Sequence, residues 1–557
     1  MKSSVIMIIL LNFIVLLCAM PAAWTAFQKD IGIQAAAFQN TPEQQIYKQQ
    51  NNARSYVVGD THIFWKWSLA VMPPVWVQSP ATCRAVGEHC YVFVADSDWN
   101  SHMTQANVDS VMVRLEQNTP NNPTQGAIEM DINLFGPIPD ALDNDEKLIV
   151  FYSALGSFQG TSFDGYFSAY NQVTESQAQQ MDPPGHSNLC EMIYMTCYPL
   201  PPTAAIRLSV LSHELEHLIH WGQDANEESW IDEGCAELAM VAYGVPDPIS
   251  GFNSNPDNDL TFWDQQTADY VKVMLFFTYL KEHYDETGMI RDLVADPANG
   301  MTSFNNQAEI HYPFVLPGQI LQNWTIANAI DAVQPGDSLY NYEELDIPTF
   351  TMYSINQHPS LELGAIQSYA ADYLKYDLPA NPTFLNIDAN TAIYMTLLVL
   401  NSDYQCIEVI DCGLTNSASF NPLPDSAQRV VIILTNHTPN SVNYSYETGT
   451  VGNTDEHAVA FNAPALNCYP NPLQAGTALE ISFNDAKNVN APGQVDIYNL
   501  KGQKIRHLNA AKSAGTASFK AQWDGTNDRK EAVSNGIYLL RYSNGNKQIS
   551  KKIYVVK

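Results

Sequence analysis

Leucines at positions 208, 211, 215 and 218 line one side of a predicted α-helix, and across the same turns the chain sets His213-Glu214-Leu215-Glu216-His217. No other stretch restricts the fold as tightly. The leucine stripe must be buried, and the two imidazoles, about 40° apart around the helix and roughly 6 Å apart along it, must share a polar space. Thr203, just after Pro201-Pro202, is the expected N-cap, and Gly222 the expected stop. Two histidines so placed can reach one zinc ion, and Glu214, on the adjacent side, can take a proton from a water held there.

A catalytic zinc needs a third protein ligand and keeps its fourth position for water. His220 shares the face but lies about 10 Å along the axis from His213, too far to converge with it, and reads as structural. Position 223, where a short-spaced site would carry a third histidine, is Gln223. The ligand must therefore come from a chain that turns back. After the loop 222–228 a second helix is expected from Ser229, with Asp232 three residues on as a capping box, ending at Gly244 before Pro246. It presents Glu233 and, one turn later, Glu237.

Around this pair the pattern alternates. Residues 27–60 are rich in Gln and Asn with little periodicity, which fits a loosely ordered leader or the start of a prosegment. Strands are expected at 90–95, 148–155, 163–170 and 191–197, and a helix behind Thr104 through Val108, Val111, Met112 and Leu115. Further helices are expected at 270–284 and 319–333. Strands alternating with helices imply an α+β domain, a mixed sheet with helices against it. After about residue 340 the helical pattern fades, and strands at 430–435 and 442–446 mark a β-rich region.

Charge divides the chain further. Residues 464–557 hold 13 Lys+Arg against 6 Asp+Glu, leaving 14 basic against 53 acidic residues upstream, and the whole carries a formal charge of −32. That balance excludes a general binder of nucleic acid or anionic membrane and marks a separate C-terminal module. Its turn signals, at Lys501-Gly502, Asp524-Gly525, Asn535-Gly536 and Asn544-Gly545, imply an antiparallel β-sandwich. At the other end Lys2, the apolar run 5–17 and the small residues near Ala22 and Ala23 read as a secretory signal peptide, and no other segment is long and apolar enough to span a membrane. Without Cys18 eight cysteines remain, so disulfides are expected, with Cys83–Cys90, Cys190–Cys197 and Cys406–Cys412 the pairs closest in sequence. Cys235 reads as a free buried thiol. Asp257, Asp259 and Asp264 form a local acidic cluster and the candidate site for a structural Ca²⁺.

Two resemblances sharpen this reading. Trp230-Ile231-Asp232-Glu233-Gly234, with the His213–His217 helix and the segments Gly165-Tyr166-Phe167-Ser168 and 191–197, resembles the gluzincin metallopeptidases, and residues 80–335 resemble hyicolysin-like secreted peptidases. The resemblance implies a zincin fold, a zinc site of His213, His217 and Glu233, Glu214 as general base, and Glu237 as a helper carboxylate on a histidine. Fifteen residues separate His217 from Glu233, fewer than is usual in that clan, and the usual spacing would nominate Glu237 as ligand instead. Tyr270 is the candidate donor to a tetrahedral oxyanion, with Tyr243 and Tyr279 as competitors. An edge strand around 166–168 would pair with a protein or peptide substrate.

The second resemblance covers residues 464–557. Tyr469-Pro470-Asn471-Pro472, Val495-Asp496-Ile497-Tyr498-Asn499-Leu500-Lys501-Gly502, Trp523-Asp524-Gly525 and the basic end through Lys551-Lys552 resemble the type IX secretion sorting domain, an Ig-like β-sandwich. It implies export to the medium or outer surface of a Gram-negative bacterium through the type IX machinery. The expected organisation is a signal peptide at 1–23, a leader or prosegment at 24–75, a zincin-like domain at 76–338, a β-rich domain at 339–463 and the sorting domain at 464–557. The expected function is a secreted zinc endopeptidase. A metal hydrolase of a non-protein amide or ester and an inactive zincin-domain adhesin are the alternatives.

Overall fold

The computed structural model describes residues 22–557 except 52–53, 72–73, 159–160, 337, 356–359, 379–382, 421–422, 424–426, 451–464, 470–472, 475–477, 485–493, 500, 513–517, 545–546 and 557. The expected signal peptide, the Pro470-Asn471-Pro472 entry and the Gly545 turn position thus lie outside the described residues, apart from Ala22 and Ala23. The chain divides into two compact units, one made of the described residues of Met1–Ser254 with Leu260–Gln307 and Glu343–Pro348, the other of Asn255–Asp259, Ala308–Tyr342 and Thr349–Lys557.

The first unit is α+β. Helices α1 (Ala22–Ala36) and α2 (Pro42–Gln50) precede strands β1 (Thr61–Ser68), β2 (Val75–Val86) and β3 (Cys90–Ala95). Helices α3 (Gln105–Glu116) and α4 (Ala127–Phe135), then β4 (Leu148–Ser153), β5 (Gly165–Phe167) and β6 (Met192–Thr196) follow. Helices α5 (Ala205–Gln223), α6 (Ser229–Tyr243) and α7 (Thr267–Tyr284) complete the frame. The six strands form one mixed sheet in the order β1-β2-β3-β4-β6-β5, parallel only at β3-β4 and β4-β6. β3 and β4 are buried along their whole length, as their unbroken apolar runs require. Strand alternation sends Tyr91, Phe93, Ile149, Phe151 and Tyr194 into one core with Ile31 and Ala35 of α1. Val92, Val94, Val150 and Tyr152 are buried on the opposite face.

Residues 27–60 differ from expectation. They build two helices and lead into β1, so the sheet begins before residue 76. The weak local pattern of α1 and α2 is compensated by contacts far along the chain: Gln44 donates to the Gln172 carbonyl at 3.0 Å, and Trp221 Nε1 to the Gly32 carbonyl at 3.0 Å.

The expected disulfides are also corrected. All eight cysteines from Cys83 to Cys468 are free thiols. Cys83 joins the core on one face of the sheet, whereas Cys90 turns to the other, with Sγ 3.4 Å from Glu116 Oε1 on α3. Cys190 and Cys197 stand at opposite ends of β6, and Cys406 and Cys412 lie six residues apart in one strand, each pair separated by roughly 20 Å of extended chain. Cys235 is buried in α6.

The second unit joins α8 (Pro317–Ile330) to a curled seven-stranded sheet. Its 18-residue strand Thr383–Leu400 pairs with Val442–Thr450 along its first half and with Arg429–Thr435 along its second, and carries Cys406–Phe420 on its other edge. Helix α8 belongs to this unit: Gln322 donates to Thr396 Oγ1 at 2.9 Å, and Thr325 and Thr435 share a hydroxyl bond of 2.7 Å. Beyond it, two further sheets of four and five strands enclose a core that includes Ile481, Ile497, Trp523, Leu540 and Ile553.

One close approach sets the spacing of the helices behind the site. A Cβ on Gly234 of α6 would stand 2.4 Å from the Phe277 ring of α7, so only glycine lets the two helices meet there. Gly234→Ala is expected to cost about 1–3 kcal/mol. Thermal unfolding should show this as a lowered Tm, recovered in part by adding Phe277→Leu.

Candidate metal centre

Helix α5 runs from Ala205 to Gln223 and takes its N-cap from Ala204 rather than Thr203. It is anchored by Arg207, whose side chain is fully buried, donates from Nη1 to the Thr196 carbonyl at 2.6 Å and pairs with Asp164 at 3.3 Å. Helix α6 returns alongside it, so that two rings from α5 and a row of carboxylates from α6 face one another. His213 Nε2 and His217 Nε2 are 3.2 Å apart, with the ring planes at 89°. Glu233 Oε2 lies 3.6 Å from the first nitrogen and 3.8 Å from the second.

Such spacing fits a divalent ion. Ligand atoms about 2.0–2.2 Å from a tetrahedral zinc stand roughly 3.3–3.6 Å from one another, and two imidazoles with a carboxylate form a donor set suited to it. Burial and the neighbouring His217 hold His213 well below the usual histidine range, which leaves it neutral with a lone pair to offer. Burial pushes Glu233 up to about 8, only partly offset by His217. A carboxylate so desolvated gains by meeting a cation.

Each ring has a second neighbour. His217 Nδ1 lies 3.0 Å from Asp232 Oδ1, a hydrogen bond that fixes the ring and directs Nε2 at His213. Burial alone would lower the His217 pKa, yet the carboxylates of Asp232, Glu233 and Glu214 carry it well above the ordinary value, while the facing imidazoles of His217 and His220 hold Asp232 well below. Asp232 therefore orients His217 and does not cap α6, whose N-cap is Glu228. The sequence marks Asp232 as a capping-box residue and as a neighbour of Glu233, not as a partner of His217. The signal available was the general need of a ligating histidine for an acceptor on its other nitrogen.

Glu237 Oε1 lies 3.6 Å from His213 Nδ1, beyond hydrogen-bond range, and burial followed by Asp247 and Glu233 pushes its carboxyl well up. His220 turns away from the pair and bonds Glu216 Oε1 through Nδ1 at 3.0 Å.

Glu214 is buried, and its Oε2 accepts the Phe167 N–H of edge strand β5 at 2.9 Å. Burial raises its pKa, against His217 and that N–H. The approach depends on Gly165, where a Cβ would fall 2.7 Å from Met195 Sδ and 3.3 Å from Glu214 Cγ. The resulting cleft is lined by His213, Glu214, His217 and Glu233, with Tyr270 of α7. Tyr270, stacked edge-on against Trp263, lines it where Tyr243 and Tyr279 do not. Helix α1 forms another wall: Gln28 donates to the Phe167 carbonyl at 2.7 Å and Lys29 to Ser229 Oγ at 3.1 Å.

The acidic cluster proposed for calcium is divided between the two units, Asp257 and Asp259 in the second and Asp264 in the first. Asp257 Oδ1 accepts the Gln367 N–H at 2.7 Å, Asp264 donates its own N–H to Asp269 at 3.0 Å, and no metal-competent group among the described residues contains Asp257, Asp259 or Asp264.

Residues 467–556 match the family described as "Secretion system C-terminal sorting domain". This segment is a type IX secretion sorting domain. It implies engagement with the type IX machinery and a destination outside the cell or on its outer surface, as read from residues 464–557 of the sequence. Among the described residues no helix is long and apolar enough to cross a membrane. No curated protein matches the chain. Solved structures give only partial overlaps. PorZ of the Porphyromonas gingivalis type-IX secretion system aligns at 14% identity and TM-score 0.13 over 22% of this chain and 15% of its own. Dimeric latent PorU from the same organism aligns at 15% identity and TM-score 0.16 over 38% and 21%. A Lactobacillus rhamnosus β-glucuronidase aligns at 10% identity and TM-score 0.11 over 34% and 36%. The chain thus spans well under half of each, and these overlaps carry no argument about the cleft.

If Asp232 orients His217, Asp232→Asn should weaken zinc binding about 10–100-fold, and Glu237→Gln by less. Competition against a chromophoric chelator measures both.

Proposed function

We propose that the protein is a secreted zinc-dependent endopeptidase of zincin type, with His213, His217 and Glu233 as metal ligands, carried to the surface or medium of a Gram-negative bacterium by a C-terminal Ig-like sandwich. The observation that carries this reading is the approach of two imidazole nitrogens and one carboxylate oxygen to within 3.2–3.8 Å, with Glu214 in the same cleft.

When bound, zinc supplies Lewis acidity toward a scissile carbonyl and acidifies water. The remaining work falls to side chains. Glu214, held by the Phe167 N–H and raised in pKa by burial, accepts the proton of the attacking water and returns it to the leaving amine. Tyr270 lines the cleft as a donor for the developing oxyanion. The N–H and carbonyl of Phe167 point off the outer edge of β5 and are held by Glu214 and by Gln28 of α1, so an extended peptide would add there as a further strand by displacing Gln28. A polypeptide substrate would suit that edge.

Casein cleavage by the zinc-loaded protein tests this directly. Glu214→Gln is expected to lower the rate by about 10²–10⁴ while keeping its zinc, and a chelator to abolish the wild-type rate until zinc is restored. Activity that survives both treatments would remove the proposal. Equal inactivity of zinc-loaded wild type and Glu214→Gln would favour a binding role. In a host with type IX secretion, removal of residues 467–557 is expected to leave the protein in the periplasmic fraction. Unchanged recovery from medium and outer surface would contradict the export route.

A further inference from the structure

Away from the cleft, three more carboxylates meet. Asp140 and Asp143, from the loop between α4 and β4, and Glu191, at the entrance to β6, each bring an oxygen within 4.8 Å of the others. Asp143 and Glu191 are 5% and 2% exposed. Glu191 Oε1 accepts the Ala141 N–H at 2.9 Å, but its Oε2 is buried with no hydrogen-bond partner. Lys48 of α2 reaches Asp140 Oδ2 at 3.0 Å. Arg54 lies nearby and spends Nη1 on the Asn188 carbonyl at 3.0 Å. The Lys48 ammonium and the Arg54 guanidinium, which draws Asp143 down against burial, are two cations for three carboxylates, two of them desolvated, and neither bonds Glu191 Oε2.

We propose that Asp140, Asp143 and Glu191 bind a hard divalent cation, Ca²⁺, that ties the loop before β4 to the start of β6. The donor set is all oxygen, which favours a hard cation over zinc, and an irregular loop suits the variable coordination of Ca²⁺ better than the octahedron Mg²⁺ demands. The electrostatics agree: burial, then neighbouring Asp143, pushes Glu191 up to about 8, and burial raises Asp143 to about 6. A dication replaces mutual repulsion with shared attraction. Because β4 and β6 are adjacent parallel strands and β6 carries β5, an ion here would brace the sheet behind the cleft. This site uses none of the residues assigned to zinc and stands whether or not the endopeptidase reading does.

The test uses the full chain, stripped of metal and then titrated with CaCl₂ or MgCl₂ by calorimetry, with and without one equivalent of ZnCl₂, alongside thermal unfolding. Wild type should take up one Ca²⁺, bind Mg²⁺ at least about tenfold more weakly, and gain a few degrees in Tm at saturation. Glu191→Gln keeps the acceptor for Ala141 and removes the charge, so it should lose at least about tenfold in Ca²⁺ affinity. Without Ca²⁺ it should melt at or above wild type, because a buried like charge has gone. Asp143→Asn should behave alike. Lys48→Met, on the rim, should bind Ca²⁺ more tightly than wild type, a readout that needs no change in the buried residues. No Ca²⁺ uptake by wild type and Lys48→Met would overturn the proposal, as would a Ca²⁺ response that persists in Glu191→Gln and Asp143→Asn.

Discussion

Two packed helices, α5 and α6, hold His213, Glu214, His217, Glu233 and Glu237 where little water reaches them, and the rest of the first unit is arranged around that demand. Ionisable groups so placed must either change protonation or find counter-charge. The fold uses both routes. His213 is kept neutral, His217 is matched by Asp232, and Glu233 is left with a raised pKa beside two ring nitrogens. A cation between them would satisfy all three at once, and this makes the cluster a candidate centre instead of a costly core defect.

The supports are structural devices of ordinary kinds. Arg207 pins the first turns of α5 to the end of β6 and to Asp164, Gly165 lets β5 approach Glu214, and Gly234 lets α6 settle on α7. Each removes a degree of freedom from a side chain in the cleft. Precision at such a site depends on these neighbours as much as on the ligands themselves.

Much of this was legible in the sequence because it is local. The leucine stripe, the histidine spacing and the return through Ser229 are all within one or two elements, and the buried strands β3 and β4 show as unbroken apolar runs. Asp232 was legible as a residue but not as a partner of His217, since that depends on the rotation of one helix against another. The ordering of residues 27–60 was hidden for a similar reason: Ile31 and Ala35 are buried in a core built from strands beyond residue 60, and Gln44 bonds Gln172, 128 positions on. The cysteine pairs failed on geometry, because closeness in sequence along or across extended strands places side chains far apart or on opposite faces. The carboxylate group of Asp140, Asp143 and Glu191 joins two distant segments and gives no local pattern, whereas the conspicuous run at Asp257, Asp259 and Asp264 contributes to no metal-competent group among the described residues.

In the proposed centre His213, His217 and Glu233 grip one ion. X-ray absorption at the zinc edge, on the full chain loaded with one equivalent of zinc, addresses it most directly. The expected first coordination sphere is two imidazoles with oxygen donors at about 2.0–2.2 Å, with loss of an oxygen donor in Glu233→Ala but not in Glu237→Gln. A spectrum with sulfur ligation, or one unchanged by Glu233→Ala, would contradict it.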